Sequence, residues 1–133
     1  MASVVATPAH GSGVREKPNI IFILADDLGW GDVGYNGSTI STPNIDSMAT
    51  SSIKLERHYV HPYCLPTRLA LFTGDYPGRT SNNKPVSTAS GNLPQKSLPQ
   101  ELSDAGYETF ISGKWHLGSG KPRGPLTYGF SQS

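Results

Sequence analysis

The run from Asn19 to Ala25 is almost unbroken in its apolar character, with Ile20-Ile21-Phe22-Ile23-Leu24 at its centre. A strand with one wet face alternates apolar and polar residues, so this pattern predicts a strand buried on both faces. The block stops abruptly at Asp26-Asp27, with Gly29, Gly31 and Gly34 close behind. Carboxylates at the exit of a buried strand, followed by glycines, recur where open α/β sheets bind ligands.

Beyond the glycines, Thr42-Pro43 has the form of an N-cap with proline at the first helical position. Ile45, Met48 and Ala49 give that helix one apolar face, to about Thr50. Ile53 to Val60 reads as a second, more polar strand. His61 to Pro66 holds two prolines and is expected to be a loop. From about Pro66 the run Thr67-Arg68-Leu69-Ala70-Leu71-Phe72 predicts a helix closed near Gly74. Thr80 to Lys96 is polar and reads as an exposed connection.

Ser97-Leu98-Pro99-Gln100 has the spacing of a capping box, which places a helix to Ala105 with Gly106 as its stop. Tyr107 to Ser112 is a candidate strand, and Gly113 opens a loop containing Lys114-Trp115-His116. The predicted order is β, α, β, loop, α, α, β, an α/β class with a mostly parallel or mixed sheet flanked by helices. About three strands are few against the typical ~5–6. Tyr128 to Ser133 carries no ending signal, so the architecture is expected to be incomplete in this chain.

Composition narrows the function classes. The chain has 133 residues and a net charge of +1, with acids and bases intermixed; no basic stripe speaks for nucleic acid. No apolar stretch approaches a membrane span; the longest, Ile20 to Ala25, suits a strand. Fifteen glycines and eleven prolines predict much loop. A single cysteine excludes an internal disulfide. Residues 1–17 are small and polar, and Val4 to Ala6 is far shorter than a signal-peptide core. They read as a disordered lead-in to a domain over residues 18–133, with no secretory signal and so no compartment indicated.

Three places could carry chemistry. Asp26 and Asp27 are adjacent carboxylates, which suit a hard cation such as Ca²⁺ or Mg²⁺; a turn with a helix cap uses Asp equally well. Cys64 lies just before a helix start, where partial positive charge favours a reactive thiolate or an anion. Were the helix to begin at Cys64 or Leu65, Arg68 would share the face of residue 64 and could hold an oxyanion. The plainer alternative is a buried cysteine and a surface arginine. Lys114 and His116, two apart in an extended segment, would face one way with Trp115 opposite, able to bind an anion and exchange a proton. A solvated lysine and a satisfied histidine are the alternative. His58 and His61 have no partners at zinc-site spacing and read as structural.

Taken together these segments resemble the sulfatase family, of the arylsulfatase type. The matching pieces stand in family order: Asn19 to Ala25 leading into Asp26-Asp27-Leu28-Gly29-Trp30-Gly31-Asp32, then Thr42-Pro43-Asn44-Ile45-Asp46. Next come Cys64-Leu65-Pro66-Thr67-Arg68 with Leu71-Phe72-Thr73-Gly74. Gly106-Tyr107-Glu108-Thr109 and Gly113-Lys114-Trp115-His116-Leu117-Gly118 close the series. Position 65 is Leu where the family usually has a small residue, position 67 is Thr where Ser is commoner, and Tyr63 is bulkier than usual.

The resemblance implies an alkaline-phosphatase-like sulfatase fold and a hydrolase of sulfate esters, small-molecule or glycan. It implies that a formylglycine-generating enzyme converts Cys64 to formylglycine, whose hydrated aldehyde serves as nucleophile. Asp26, Asp27 and the modified Cys64 would hold one Ca²⁺ ion. Arg68 would steady the formylglycine, Lys114 would bind the sulfate group, and His116 would hydrogen-bond the diol or take its proton. Family members run to several hundred residues, and their later Asp-Asn pair, His and Lys have no counterpart here. Two other readings stand beside this one: a truncated, non-catalytic fragment or isoform, and a related metal-dependent phosphatase or phosphodiesterase.

Overall fold

The computed structural model describes residues 2–4, 17–80, 96–118 and 123–133. They fall into two compact units, Met1–Val60 and His61–Ser133.

In the first unit, β1 (Ala2–Val4) pairs antiparallel with β2 (Phe22–Leu24), Ser3 opposite Ile23. The lead-in thus contributes a three-residue strand that its composition did not signal; residues 1 and 5–16 lie outside the described residues. The apolar block forms a strand, but a short one and not a buried one. Ile21 is 73% exposed and Ile23 62%. A doubly buried strand needs layers on both faces, and among the described residues β1 is its one strand partner.

After Asp26-Asp27 the chain makes two 3₁₀ turns, Trp30–Asp32 and Gly34–Asn36, and then α1 (Pro43–Ser51). Thr42 is the N-cap and Pro43 the first helical residue, as predicted. The Thr42 hydroxyl donates to Asp46 Oδ1 (2.9 Å) and accepts from the Gly34 amide (2.8 Å), while the same Asp46 oxygen accepts from the Tyr35 amide (2.9 Å). One threonine and one aspartate thereby fasten the glycine-rich turns to the helix start. The turn is tight: a Cβ on Gly34 would stand 2.3 Å from Asp46 Oδ2. The predicted strand over Ile53 to Val60 is absent; those residues are exposed and irregular. Their apolar positions do not alternate consistently and no neighbour offers them a ladder.

The second unit is helical. It holds α2 (Cys64–Thr73), α3 (Pro77–Thr80), α4 (Leu98–Asp104) and a 3₁₀ turn at Pro125–Tyr128. Gly74 ends α2 in the left-handed conformation (φ 68°), its amide bonded to the Ala70 carbonyl at 2.8 Å. The core is Leu69, Phe72, Trp115, Leu117 and Tyr128, with Leu65, Leu71, Ile111 and Phe130 against it. Leu65, Leu69 and Phe72 are spaced as one face of α2. Phe72 and Trp115 meet at 4.9 Å between ring centroids, and Phe130 meets both edge-on.

Two sequence expectations change here. Ser97 is the N-cap of α4 but forms no capping box. Its hydroxyl, 1% exposed at the residue level, donates to the Tyr128 carbonyl instead. A buried acceptor needs a donor more than an exposed helix end does. Tyr107 to Ser112 shrinks to a single parallel bridge, Phe110 to Gln132, flanked by Ser131 N–H to Thr109 O (2.7 Å) and Ile111 N–H to Gln132 O (3.1 Å). The described residues therefore hold a two-stranded ribbon and one bridge, not the expected mixed sheet flanked by helices. The predicted connection over Thr80 to Lys96 lies mostly outside the described residues.

Candidate functional site

Cys64 is the first residue of α2, two residues earlier than the proline-based estimate. Tyr63 is extended (φ −128°, ψ 151°), so the chain turns helical at the cysteine itself. Pro66 is tolerated in this first turn, where N–H groups have no intrahelical acceptor. No side chain caps the helix. The start is fixed from inside by Thr67, whose hydroxyl lies 2.8 Å from the Tyr63 carbonyl and 3.0 Å from that of His61. Cys64 is a half-buried free thiol at the end of a helix that favours negative charge.

Arg68 sits one turn further on the same face and is buried. The sequence suggested a guanidinium turned toward residue 64. Its Nη1 donates to the backbone carbonyl of Lys114. Arg68 thereby ties the cysteine helix to the Lys114–His116 segment.

That segment has the alternation expected of it. Lys114 and His116 are exposed, whereas Trp115 is 8% and Leu117 4% exposed. It is not a plain extended stretch, however. Gly113 (φ 102°), His116 (φ 66°) and Gly118 (φ 114°) all have left-handed backbone. For glycine this is free; for histidine it is uncommon and costs energy that the surroundings must offset. A Cβ on Gly118 would lie 2.6 Å from the Cβ of Arg123, so the turn is closely packed there too. The Trp115 indole N–H donates to the Arg123 carbonyl at 3.0 Å.

In the first unit, Asp26 and Asp27 follow β2 after Ala25 and are both exposed. Asp27 is left-handed (φ 59°) and, with His116, is one of two non-glycine residues so placed among the described residues. Their donor chemistry suits a hard cation, since both offer only oxygen. Among the described residues no three of His, Cys, Asp and Glu converge into a metal-holding group. Two carboxylates fit Ca²⁺ in kind and fall short of its usual 6–8 oxygens in number.

Sequence reasoning named Asp26, Asp27, Cys64, Arg68, Lys114 and His116; Asp26, Asp27, Lys114 and His116 are exposed, Cys64 is half-buried and Arg68 is buried. It missed the Arg68 bond to a backbone carbonyl, the Thr67 anchor and the left-handed His116. Only the last had a local signal, the glycines at 113 and 118 that bracket the turn.

A family model for sulfatases matches residues 18–132. Arylsulfatase J of Mus musculus is 44% identical over 121 residues, 88% of this chain and 20% of that protein. Steryl-sulfatase of Homo sapiens is 43% identical over 118 residues, 80% of this chain and 20% of that protein. Among solved structures, that of Ps i-CgsB superposes with a TM-score of 0.72 at 42% identity, covering 82% of this chain and 26% of that one. The chain thus spans about a fifth of the length of these curated relatives.

Proposed function

The chain belongs to the sulfatase family, and on that premise we propose that it carries the nucleophile side of a sulfate-ester hydrolase site. The observation that carries the reading is the joint built by Arg68. Cys64 starts α2, Arg68 follows on the same face, and Arg68 bonds the backbone of Lys114. A nucleophile position, a cation for the sulfate group and an imidazole for proton exchange are thereby parts of one construction.

Each residue then has a task. Residue 64, converted to formylglycine, would supply a hydrated aldehyde, one hydroxyl of which would displace the ester's alcohol from sulfur while the other, losing its proton, would expel sulfate and restore the aldehyde. Lys114 offers its ammonium to the anionic ester. His116, exposed beside it, holds or accepts a proton at the nucleophile. Asp26 and Asp27 would hold Ca²⁺, which polarises a sulfate oxygen when bound. The fold proposed for the whole is the α/β, alkaline-phosphatase-like architecture, with a sheet larger than the ribbon described here.

The substrate class is a sulfate ester, small-molecule or glycan. Steryl-sulfatase and N-acetylgalactosamine-6-sulfatase are among the relatives, and Ps i-CgsB has been crystallised with k-i-k-neocarrahexaose. Among the described residues no helix is long and apolar enough to cross a membrane.

The test is co-expression with a formylglycine-generating enzyme, sequencing of the peptide around residue 64 by mass spectrometry, and assay on matched aryl sulfate and aryl phosphate esters. An aldehyde at position 64 with preference for the sulfate supports the reading. An active protein with an unmodified Cys64 thiol, or one that prefers the phosphate, overturns it.

A further inference from the structure

The structure assigns Trp115 a positioning role: its buried indole holds the 113–118 turn so that Lys114 and His116 face outward together, with His116 in a left-handed conformation. That these two side chains handle a sulfate group rests on the reading above; the mechanical claim does not.

The argument starts from what a left-handed histidine requires. Such a residue persists only where its neighbours over-determine the backbone. Here the fixed points are on either side of it. Trp115, immediately before, lies against Phe72 at 4.9 Å, Tyr128 at 5.6 Å and Phe130 at 6.1 Å between centroids. Its indole N–H is spent on the Arg123 carbonyl, which fixes the ring's rotation as well as its depth. Leu117, immediately after, is in the same core. Both neighbours of residue 116 are buried while 116 itself is exposed, so its left-handed backbone is held from either side. Lys114, on the other side of Trp115, is exposed as well, and its carbonyl is held by Arg68.

Phe72 is the contrasting member of the cluster. It contributes an aromatic ring from α2 but is not joined in sequence to the turn. Losing it removes packing; losing Trp115 removes packing and the orientation of two exposed side chains.

The experiment uses the isotopically labelled chain. Backbone shifts and the amide–α coupling of His116 report its φ region, and inorganic sulfate is titrated against the Lys114 and His116 resonances. Trp115→Leu is expected to keep the far-UV circular dichroism, to move His116 out of the left-handed region and to reduce the sulfate response several-fold. Trp115→Phe, which keeps a ring but loses the bond to Arg123, is expected to reduce that response in part. Phe72→Leu is expected to lower the melting temperature and leave His116 and the sulfate response as they were.

A His116 that stays left-handed with an undiminished sulfate response in Trp115→Leu overturns the proposal. So does a Phe72→Leu variant that disturbs both readouts as strongly. Should Trp115→Leu fail to fold, an unchanged sulfate response in Trp115→Phe overturns it and a reduced one supports it. A parent chain with no sulfate response at either residue removes the functional reading, and the φ of His116 in the Trp115 variants then decides the positioning claim by itself.

Discussion

The Arg68 guanidinium donates to the backbone carbonyl of Lys114, 46 residues further along the chain. Arginine is well suited to this duty, since it keeps its charge when buried and presents several donors in a rigid fork. A hydrogen bond with a charged partner contributes about 1.5–3 kcal/mol. Arg68→Met keeps most of the side-chain volume and removes the donor, so it is expected to destabilise the chain by about that amount. Arg68→Lys is expected to recover only part, because an ammonium cannot reproduce the fork. Urea unfolding with an unchanged m-value is the measurement; a loss below about 0.5 kcal/mol, the scatter of surface substitutions, would refute the importance of the bond.

The packing of α2 gives a second prediction. Leu69 is 1% exposed and central to the aromatic cluster, whereas Ile53 is 88% exposed. Leu69→Ala leaves a cavity among Phe72, Trp115 and Tyr128 and is expected to cost about 2–5 kcal/mol. Ile53→Ala should stay within about 0.5 kcal/mol. Similar losses at both positions in denaturant titrations would mean that the core is not where the burial places it.

What could be read from the sequence was what local chemistry decides. Thr42-Pro43, Gly74 and Gly106 mark helix ends because capping and left-handed stops depend on a few adjacent residues. The alternation of Lys114, Trp115 and His116 was readable for the same reason. Features decided by distant partners were not. Ser97 has the spacing of a capping box, yet its hydroxyl donates to the Tyr128 carbonyl, 31 residues away. That Arg68 shares a helix face with residue 64 was readable; that its Nη1 donates to the Lys114 carbonyl was not. Asn19 to Ala25 reads as a doubly buried strand because its pattern records the layers it is suited to, and the described residues supply one strand partner. The carboxylate pair and the helix carrying Cys64 were visible as motifs; that Arg68 joins that helix to the Lys114 turn was visible only in three dimensions.

Two glycines with similar backbone angles should respond differently to alanine. Gly37 (φ 91°) has nothing within 4 Å of where a Cβ would stand, whereas at Gly129 (φ 97°) the Cβ would meet the Gln100 backbone nitrogen at 2.5 Å. Both substitutions incur the left-handed penalty of about 1–2 kcal/mol. Gly129→Ala must in addition push α4 away from the Pro125–Tyr128 turn, which breaks the Ser97 bond to Tyr128. Thermal melts should therefore rank Gly129→Ala well below Gly37→Ala; equal melting temperatures would mean that the close approach to Gln100 relaxes without cost.

Thr67 tests how the nucleophile position is held. Its hydroxyl reaches the carbonyls of Tyr63 and His61, on the loop that delivers Cys64 to the helix. Thr67→Ser keeps the donor and Thr67→Val removes it at nearly constant volume. Valine is expected to cost about 1 kcal/mol and serine less. Amide exchange at Tyr63, Cys64 and Leu65 should quicken in the valine variant alone; quickening in the serine variant alone would assign the effect to the methyl group.

The exposed strand carries the last prediction. Ile21 and Ile23 are 73% and 62% exposed, and β1 opposite covers only Phe22 to Leu24 in the ladder. An apolar strand with uncovered faces and an unpaired edge is a template for association. The net charge of +1 provides little repulsion against it. The chain is therefore expected to self-associate as its concentration rises, with larger species in sedimentation velocity. Ile21→Lys and Ile23→Lys should each suppress those species, because a buried charge opposes stacking of the strand against an apolar surface. Neither should lower the unfolding free energy by more than about 0.5 kcal/mol, since both positions are already in water. Suppression accompanied by unfolding would show instead that these isoleucines support the unit from within. Association that persists in both variants would place the sticky surface elsewhere, with the apolar residues around Ile53, Leu55 and Tyr59 the next to substitute.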